Sequence, residues 1–177
     1  MPLLRVSLDG AALNIDEAGR PLRAVPSMED PDFQQVLRRG WVSPPSFGPR
    51  GDLRLYSAAH RSPGEATYAW FASADWRRGR VQIDRRGAIS DIAMAPYGAG
   101  GGKLAGEPID VVPDYARRSL SITLGEAHSV LGRWTDLELS LAIDGAASAR
   151  VDGALACALF LWVARPAAFL VEARPPF

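Results

Sequence analysis

Three side chains are placed where they could supply general acid or base chemistry. His60 and Glu65 flank the turn "HRSPGEA", so in a tight hairpin they would face each other as a base and its orienting carboxylate. Asp91 interrupts the apolar segment "AISDIAMA" between Ile89 and Ile92, and if its side of the strand lined a barrel interior, the buried carboxyl could serve as a general acid. An exposed hairpin tip and a solvent-facing strand position are the simpler interpretations, and we favour them.

The glycine-rich stretch "PYGAGGGKLAG", residues 96–106, has part of the composition of a phosphate-binding loop. A Walker loop needs an initial glycine and a Ser or Thr after its lysine, whereas Tyr97 and Leu104 occupy those places. The dinucleotide-binding version needs a third glycine where Lys103 stands, and no helical pattern follows it. We therefore predict no nucleotide cofactor and assign the stretch to a surface loop between two strands.

The remaining reactive residue types are too few, or too apolar in context, for a metal site or a nucleophile. The chain has 2 histidines and 1 cysteine, and His128 has no second ligand at metal-binding spacing. Cys157 lies in the most apolar run, where a thiol stays protonated and behaves as a small hydrophobic side chain. A G-x-S-x-G nucleophile motif is absent from the sequence. The sequence therefore predicts neither a metal nor a cofactor.

Aromatic side chains are the strongest indication of a binding surface. They come from strand ends, from loops, or from one face of "TYAWFA", and they are Trp41, Tyr56, Tyr68, Trp70, Trp76 and Tyr97. Large rings at such positions often remain partly exposed, where they stack on a sugar or on the side chains of a protein partner. Core packing is the competing interpretation for at least half of these rings.

Alternation of apolar and polar residues predicts the elements that must position these side chains. In "DLELSLAIDG" the leucines and Ile143 share one face and the polar residues share the other, which is typical of a half-buried strand. "SLSITL" shows the same pattern, and the turns "NIDEAGRPL" and "DRRGA" join successive strands as antiparallel hairpins. The sequence therefore predicts a mainly antiparallel all-β fold, either a β-sandwich of jelly-roll type or a closed β-barrel.

Two segments depart from this alternation. "EDPDFQQVLRRGW" places Asp30 as an N-cap, Pro31 at the first helical position and Gly40 as a stop, which predicts one short flanking helix near residues 31–39. The apolar run "ALACALFLWVA", residues 154–164, is rich in helix-favouring Ala and Leu but alternates larger with smaller side chains. We interpret this run as a strand buried on both faces, with a helix as the alternative.

Composition and charge limit the class of protein. A length of 177 residues suits one domain, so we treat residues 1–177 as a single β-rich domain. The 20 basic residues balance 20 acidic ones, so no net field would hold nucleic acid. The longest apolar run is too short to cross a bilayer as a helix, and the first residues show no secretory signal. We therefore expect synthesis in the cytoplasm, with no membrane span and no nucleic-acid partner.

One short part of the sequence has a family likeness. The segment "GRWTDLELSLAIDG" followed by "ARVDG" resembles the Gly-x-Trp, strand, Asp-Gly rhythm of concanavalin-like jelly rolls. The resemblance implies a sandwich architecture and transfers no site residue to this chain.

Two functions from different classes fit these features. The first is a non-enzymatic binding or structural module that recognises a protein partner or a glycan, as a homo-oligomer or as a subunit of a bacterial or phage assembly such as a virion or secretion machine. The second is a cofactor-free barrel enzyme or small-molecule carrier that uses Asp91, His60 or Glu138 as acid or base. We prefer the first, because loop aromatics and strands are plentiful while nucleophile, metal and phosphate motifs are lacking.

Overall fold

The computed structural model describes residues 3–10, 12–26, 53–57, 70–76, 78–85, 88–125, 128–143 and 151–166. These ranges contain twelve β-strands and one α-helix. The strands are β1 Leu3–Asp9, β2 Ala12–Glu17, β3 Arg20–Pro26, β4 Leu53–Ser57, β5 Phe71–Asp75, β6 Arg80–Arg85, β7 Ala88–Met94, β8 Gly100–Leu104, β9 Glu107–Asp114, β10 Ser119–Leu124, β11 His128–Trp134 and β12 Glu138–Ala142, and the helix α1 is Gly153–Ala164. The helix predicted near residues 31–39 lies outside the described residues.

The strands form one antiparallel sheet that closes on itself. Each strand pairs with the next along the chain, and β12 returns to pair with β1. Val6 of β1 stands opposite Ile15 of β2 and Leu139 of β12, and all three side chains are buried, so the inward positions form continuous apolar rows. The predicted mainly antiparallel all-β class is confirmed. Of the two architectures left open, the strand pairing is that of a closed barrel.

The apolar run near the C-terminus is the helix α1, so the expected strand buried on both faces is wrong. Every residue from Gly153 to Val163 is buried, and the helix packs against β1, β2 and β12 as well as β5 and β6 on the other side of the barrel. The helix therefore occupies the barrel interior. A helix enclosed on all sides needs apolar residues around its whole circumference, and this removes the 3.6-residue period by which surface helices are recognised.

Charged side chains fix the first turn of α1 to the barrel wall. Asp152 is the N-cap and accepts a hydrogen bond from the backbone N of Leu155 at 3.2 Å. Arg85, at the end of β6, donates to both carboxylate oxygens of Asp152 at 3.0 and 2.8 Å. Glu17, at the end of β2, accepts from the backbone N of Gly153 at 2.7 Å. The helix N-terminus is therefore held from two separate strands.

The glycine-rich stretch, which we expected to be a surface loop, contains a β-strand. Gly100–Leu104 forms β8, which pairs with β7 and β9, and only residues 95–99 form a turn. A Cβ atom on Gly100 would lie 2.6 Å from the backbone oxygen of Ala93, which is too close for any other residue type. The glycine at this position therefore permits a close approach of two strands, and the predicted surface loop is limited to the turn that carries Tyr97.

Candidate functional site

Aromatic residues collect at one end of the barrel because of the order of its strands. In a meander every second connection lies at the same end, and at this end β5, β7, β9 and β11 each end in, or are followed by, an aromatic residue. The C-terminal end of α1 contacts two of these rings, Trp76 and Tyr97, through Arg165. We call the resulting group the ring cluster; its members are Trp76, Tyr97, Tyr115, Trp134, Trp162 and Arg165.

Arg165 lies at the centre of the ring cluster. Its Cζ atom lies 5.0 Å from the ring centroid of Tyr97, 5.7 Å from that of Trp162 and 5.9 Å from that of Trp76. All three distances fall within the range in which a cation is attracted to the face of an aromatic ring. Three rings from three separate elements therefore hold one guanidinium group.

Edge-to-face contacts extend the cluster from this arginine toward the core. Tyr97 and Tyr115 have ring centroids 5.4 Å apart at an interplanar angle of 69°. Tyr115 and Trp134 follow at 5.5 Å and 75°. Such T-shaped pairs place the positive edge of one ring against the negative face of the next. Tyr97 therefore packs against Tyr115, which in turn packs against Trp134.

The cluster passes from the buried core to the solvent. Trp162 is fully buried in α1, whereas 70% of Tyr97 is exposed. Trp76 is half-buried, and its Nε1 donates a hydrogen bond to the backbone oxygen of Trp162 at 3.3 Å. Arg165 is also half-buried. Tyr97 and Arg165 therefore form the side of the cluster that a partner molecule can reach.

Both of these surface residues have a backbone conformation that normally favours glycine. Tyr97 has φ +55° and Arg165 has φ +44°, which are left-handed values that cost a large L-residue about 1–2 kcal/mol each. Arg165 closes α1 by donating its backbone N–H to the oxygen of Leu161 at 3.2 Å, at a position where glycine is the usual residue. Residues held in such conformations cluster at ligand-binding sites.

The polar groups of the cluster lack partners. Arg165 forms no ion pair among the described residues, and neither Tyr115 Oη nor Trp162 Nε1 has a hydrogen-bond partner although both atoms are buried. Burial raises the pKa of the Tyr115 phenol, while the positive charge of Arg165 and the Trp162 indole N–H, which interacts with the phenol oxygen without reaching full hydrogen-bond geometry, oppose that shift. Arg165 and Trp162, which can only donate, therefore lie together with the Tyr115 hydroxyl, and neither buried atom has a partner at hydrogen-bond distance in the described part of the chain.

Two of the aromatic residues predicted from the sequence belong to this site. Trp76 and Tyr97 come together around Arg165, although they lie in different hairpins. Trp70 is 5% exposed and packs in the core, so its assignment to a binding surface is wrong. Tyr56 lies in β4, and its assignment to a binding surface stays a prediction. Four other predicted residues lie outside the described ranges: Trp41, His60, Glu65 and Tyr68.

Asp91 points away from the barrel interior, which corrects the hypothesis of a buried acid. Its side chain is 45% exposed, accepts a hydrogen bond from Gln82 Nε2 at 3.1 Å and pairs with Arg80 Nε at 3.4 Å. The alternation of β7 is as expected, but Ser90 and Ile92 occupy the inward positions. Glu138 lies on the outer face of β12, opposite Ser7 of β1. Neither carboxylate faces an interior site.

Four members of the cluster were not singled out from the sequence: Tyr115, Trp134, Trp162 and Arg165. A local signal exists for Tyr115, because "DWRR" and "DYARR" repeat an aspartate followed by a ring. In both turns the aspartate accepts from the backbone N three residues later, Asp75 from Arg78 at 3.0 Å and Asp114 from Arg117 at 3.2 Å. Two rings at the same end of the barrel therefore share one turn sequence.

Comparisons of the chain with protein families, with curated proteins and with solved structures find no match. Within the described ranges, no three His, Cys, Asp or Glu side chains are grouped closely enough to hold a metal ion. Nor does any helix in those ranges have the length and apolar character that a membrane span requires. The geometry of the ring cluster is therefore the observation on which a function is proposed.

Proposed function

We propose that this protein is a non-enzymatic binding module that recognises a protein partner through the ring cluster. The observation that carries the proposal is a surface guanidinium that rests on three aromatic rings and has no acidic partner among the described residues. The few residues that dominate the binding energy of protein interfaces are enriched in Trp, Tyr and Arg. An arginine that contacts three rings beside an exposed tyrosine presents both residue types at one surface.

The packing of α1 supports a surface site over an interior one. Its buried side chains fill the middle of the barrel, where a small-molecule enzyme or carrier would need a cavity. The acid and base candidates Asp91 and Glu138 lie on the outer wall. The described residues therefore favour the binding module over the barrel enzyme.

A protein partner fits the cluster better than a glycan. Platforms that stack on sugars expose broad ring faces, whereas here Tyr97 is the one cluster ring with most of its surface exposed. The adjacent charge of Arg165 suits a protein surface that carries acidic groups. A second copy of this chain or another subunit of an assembly would supply such a surface.

Selection from a displayed library of random peptides on the purified protein tests this proposal. We expect the selected peptides to bind Tyr97→Ala with a dissociation constant at least tenfold higher than that of the wild type, because the exposed ring is lost. The control Arg133→Gln, on the outer wall of β11, should leave the dissociation constant unchanged. Fluorescence titration of each variant measures both constants.

If every selected peptide binds equally to wild type and Tyr97→Ala, the ring cluster is not the binding site. A parallel glycan array separates the two partner classes. Binding of glycans, and not peptides, that is lost in Tyr97→Ala would replace the protein partner with a carbohydrate.

A further inference from the structure

The ring cluster contains an excess of hydrogen-bond donors. The guanidinium of Arg165 has five N–H donors and the indole of Trp162 has one, and neither group can accept a hydrogen bond. Trp162 is fully buried, and its Nε1 has no partner. Tyr115 adds a buried hydroxyl without a partner. Buried donors of this kind are rare in folded proteins, because leaving them unpaired is costly.

These three groups lie close to one another. Arg165 lies over both Trp162 and Tyr97, and Tyr97 contacts Tyr115. The positive charge of Arg165 and the indole N–H of Trp162 both act on the Tyr115 oxygen, although the indole does not reach that oxygen at hydrogen-bond distance. The missing partner is therefore an oxygen acceptor, and the charge of Arg165 favours an anionic one.

We infer that the ring cluster is a carboxylate-binding site in which Arg165 receives the anion and Tyr115 and Trp162 complete its hydrogen bonds. This inference deepens the proposed function and rests on it. The carboxylate belongs to an Asp or Glu side chain, or to the chain terminus, of the partner. Because the donor atoms are buried, we expect the exposed ring of Tyr97, which packs against Tyr115, to turn aside when a carboxylate reaches them.

A purely structural role for Arg165 makes a different prediction. A cation at the C-terminus of α1 also interacts favourably with the helix dipole, and any positive charge would serve that purpose. Recognition of a carboxylate instead uses the planar fork of the guanidinium, which lysine lacks. The substitution Arg165→Lys therefore separates the two roles, because it keeps the charge and removes the fork.

Nuclear magnetic resonance of the indole N–H groups, titrated with sodium acetate, tests the inference directly. We expect one indole resonance, assigned to Trp162 by substitution, to move downfield and saturate, because its N–H acquires an acceptor. The affinity should fall at least tenfold in Arg165→Lys and several-fold in Tyr115→Phe. Arg133→Gln is the matched control, since it removes an exposed arginine of the outer wall, and it should leave the titration unchanged.

Peptides from the library selection then distinguish the source of the carboxylate. If the bound carboxylate is the peptide's C-terminus, replacing that acid by an amide weakens binding. If it is a side chain, a Glu→Gln change within the peptide weakens binding. An indole shift that is absent, or that persists unchanged in Arg165→Lys, overturns the carboxylate site. If neutral peptides still require Tyr97, the binding function survives and only this inference fails.

Discussion

The two ends of helix α1 differ in how their polar groups are satisfied. At the N-terminal end Asp152, Arg85 and Glu17 pair with one another or with the first backbone N–H groups of the helix. At the C-terminal end Arg165 lies on aromatic rings, and two buried polar atoms near it have no partner. The polar groups of one end are therefore paired, whereas at the other end two buried polar atoms lack a partner in the part of the chain that the structure describes.

This difference distinguishes the N-terminal end of α1, which stabilises the fold, from the C-terminal end, which is available for binding. Removing one partner of an ion pair is costly, because the remaining ion is left partly buried without a partner. When an unpaired guanidinium is removed, the protein loses only the contacts of that group with the rings. Substitutions at the N-terminal end should therefore affect mainly stability, and those at the C-terminal end mainly binding.

The largest effect is expected at the N-terminal end. Asp152→Ala should lower the free energy of unfolding by about 2–4 kcal/mol, because it removes the N-cap and leaves Arg85 without its bidentate partner. Asp152→Asn should cost about half as much, since the amide oxygen still caps the helix. Urea denaturation measures both values. A loss below about 1 kcal/mol in Asp152→Ala would remove the proposed distinction between the two ends.

A smaller effect is expected at the C-terminal end. Arg165→Gly should change the free energy of unfolding by no more than about 1 kcal/mol, because relief of the left-handed backbone offsets the lost contacts with the rings. The same denaturation series gives this value. A loss above about 2 kcal/mol would instead assign Arg165 to the stability of the fold.

The smallest effect is expected from the Tyr115 hydroxyl. Tyr115→Phe should leave stability near pH 7 unchanged or raise it by less than about 1 kcal/mol, since the oxygen is buried without a partner. Burial raises the pKa of Tyr115 above its ordinary value of 10.0, so above about pH 10 the unfolded chain loses this proton first. Wild-type stability should therefore fall as pH rises above 10, and less steeply in the variant. Identical slopes from pH 8 to 11 would contradict this assignment.

The sequence by itself predicted the strands and part of the site. In β10 and β12 the buried positions Leu120, Ile122, Leu139 and Leu141 are those that alternation indicates, because a half-buried strand must separate apolar from polar side chains locally. Trp76 and Tyr97 were predicted as binding residues because turns often expose large rings. These features depend on neighbouring residues, which a sequence shows directly.

Tertiary structure alone decided which faces point inward and which distant residues meet. Alternation groups Asp91 with Ile89 but does not say that this face is the outer one, which follows only when the barrel closes around Ile92. The run at residues 154–164 has no helical period, because its surroundings are apolar on every side. Arg165 meets Tyr97 only because α1 passes through the barrel, and contacts over such a separation in sequence have no local signal.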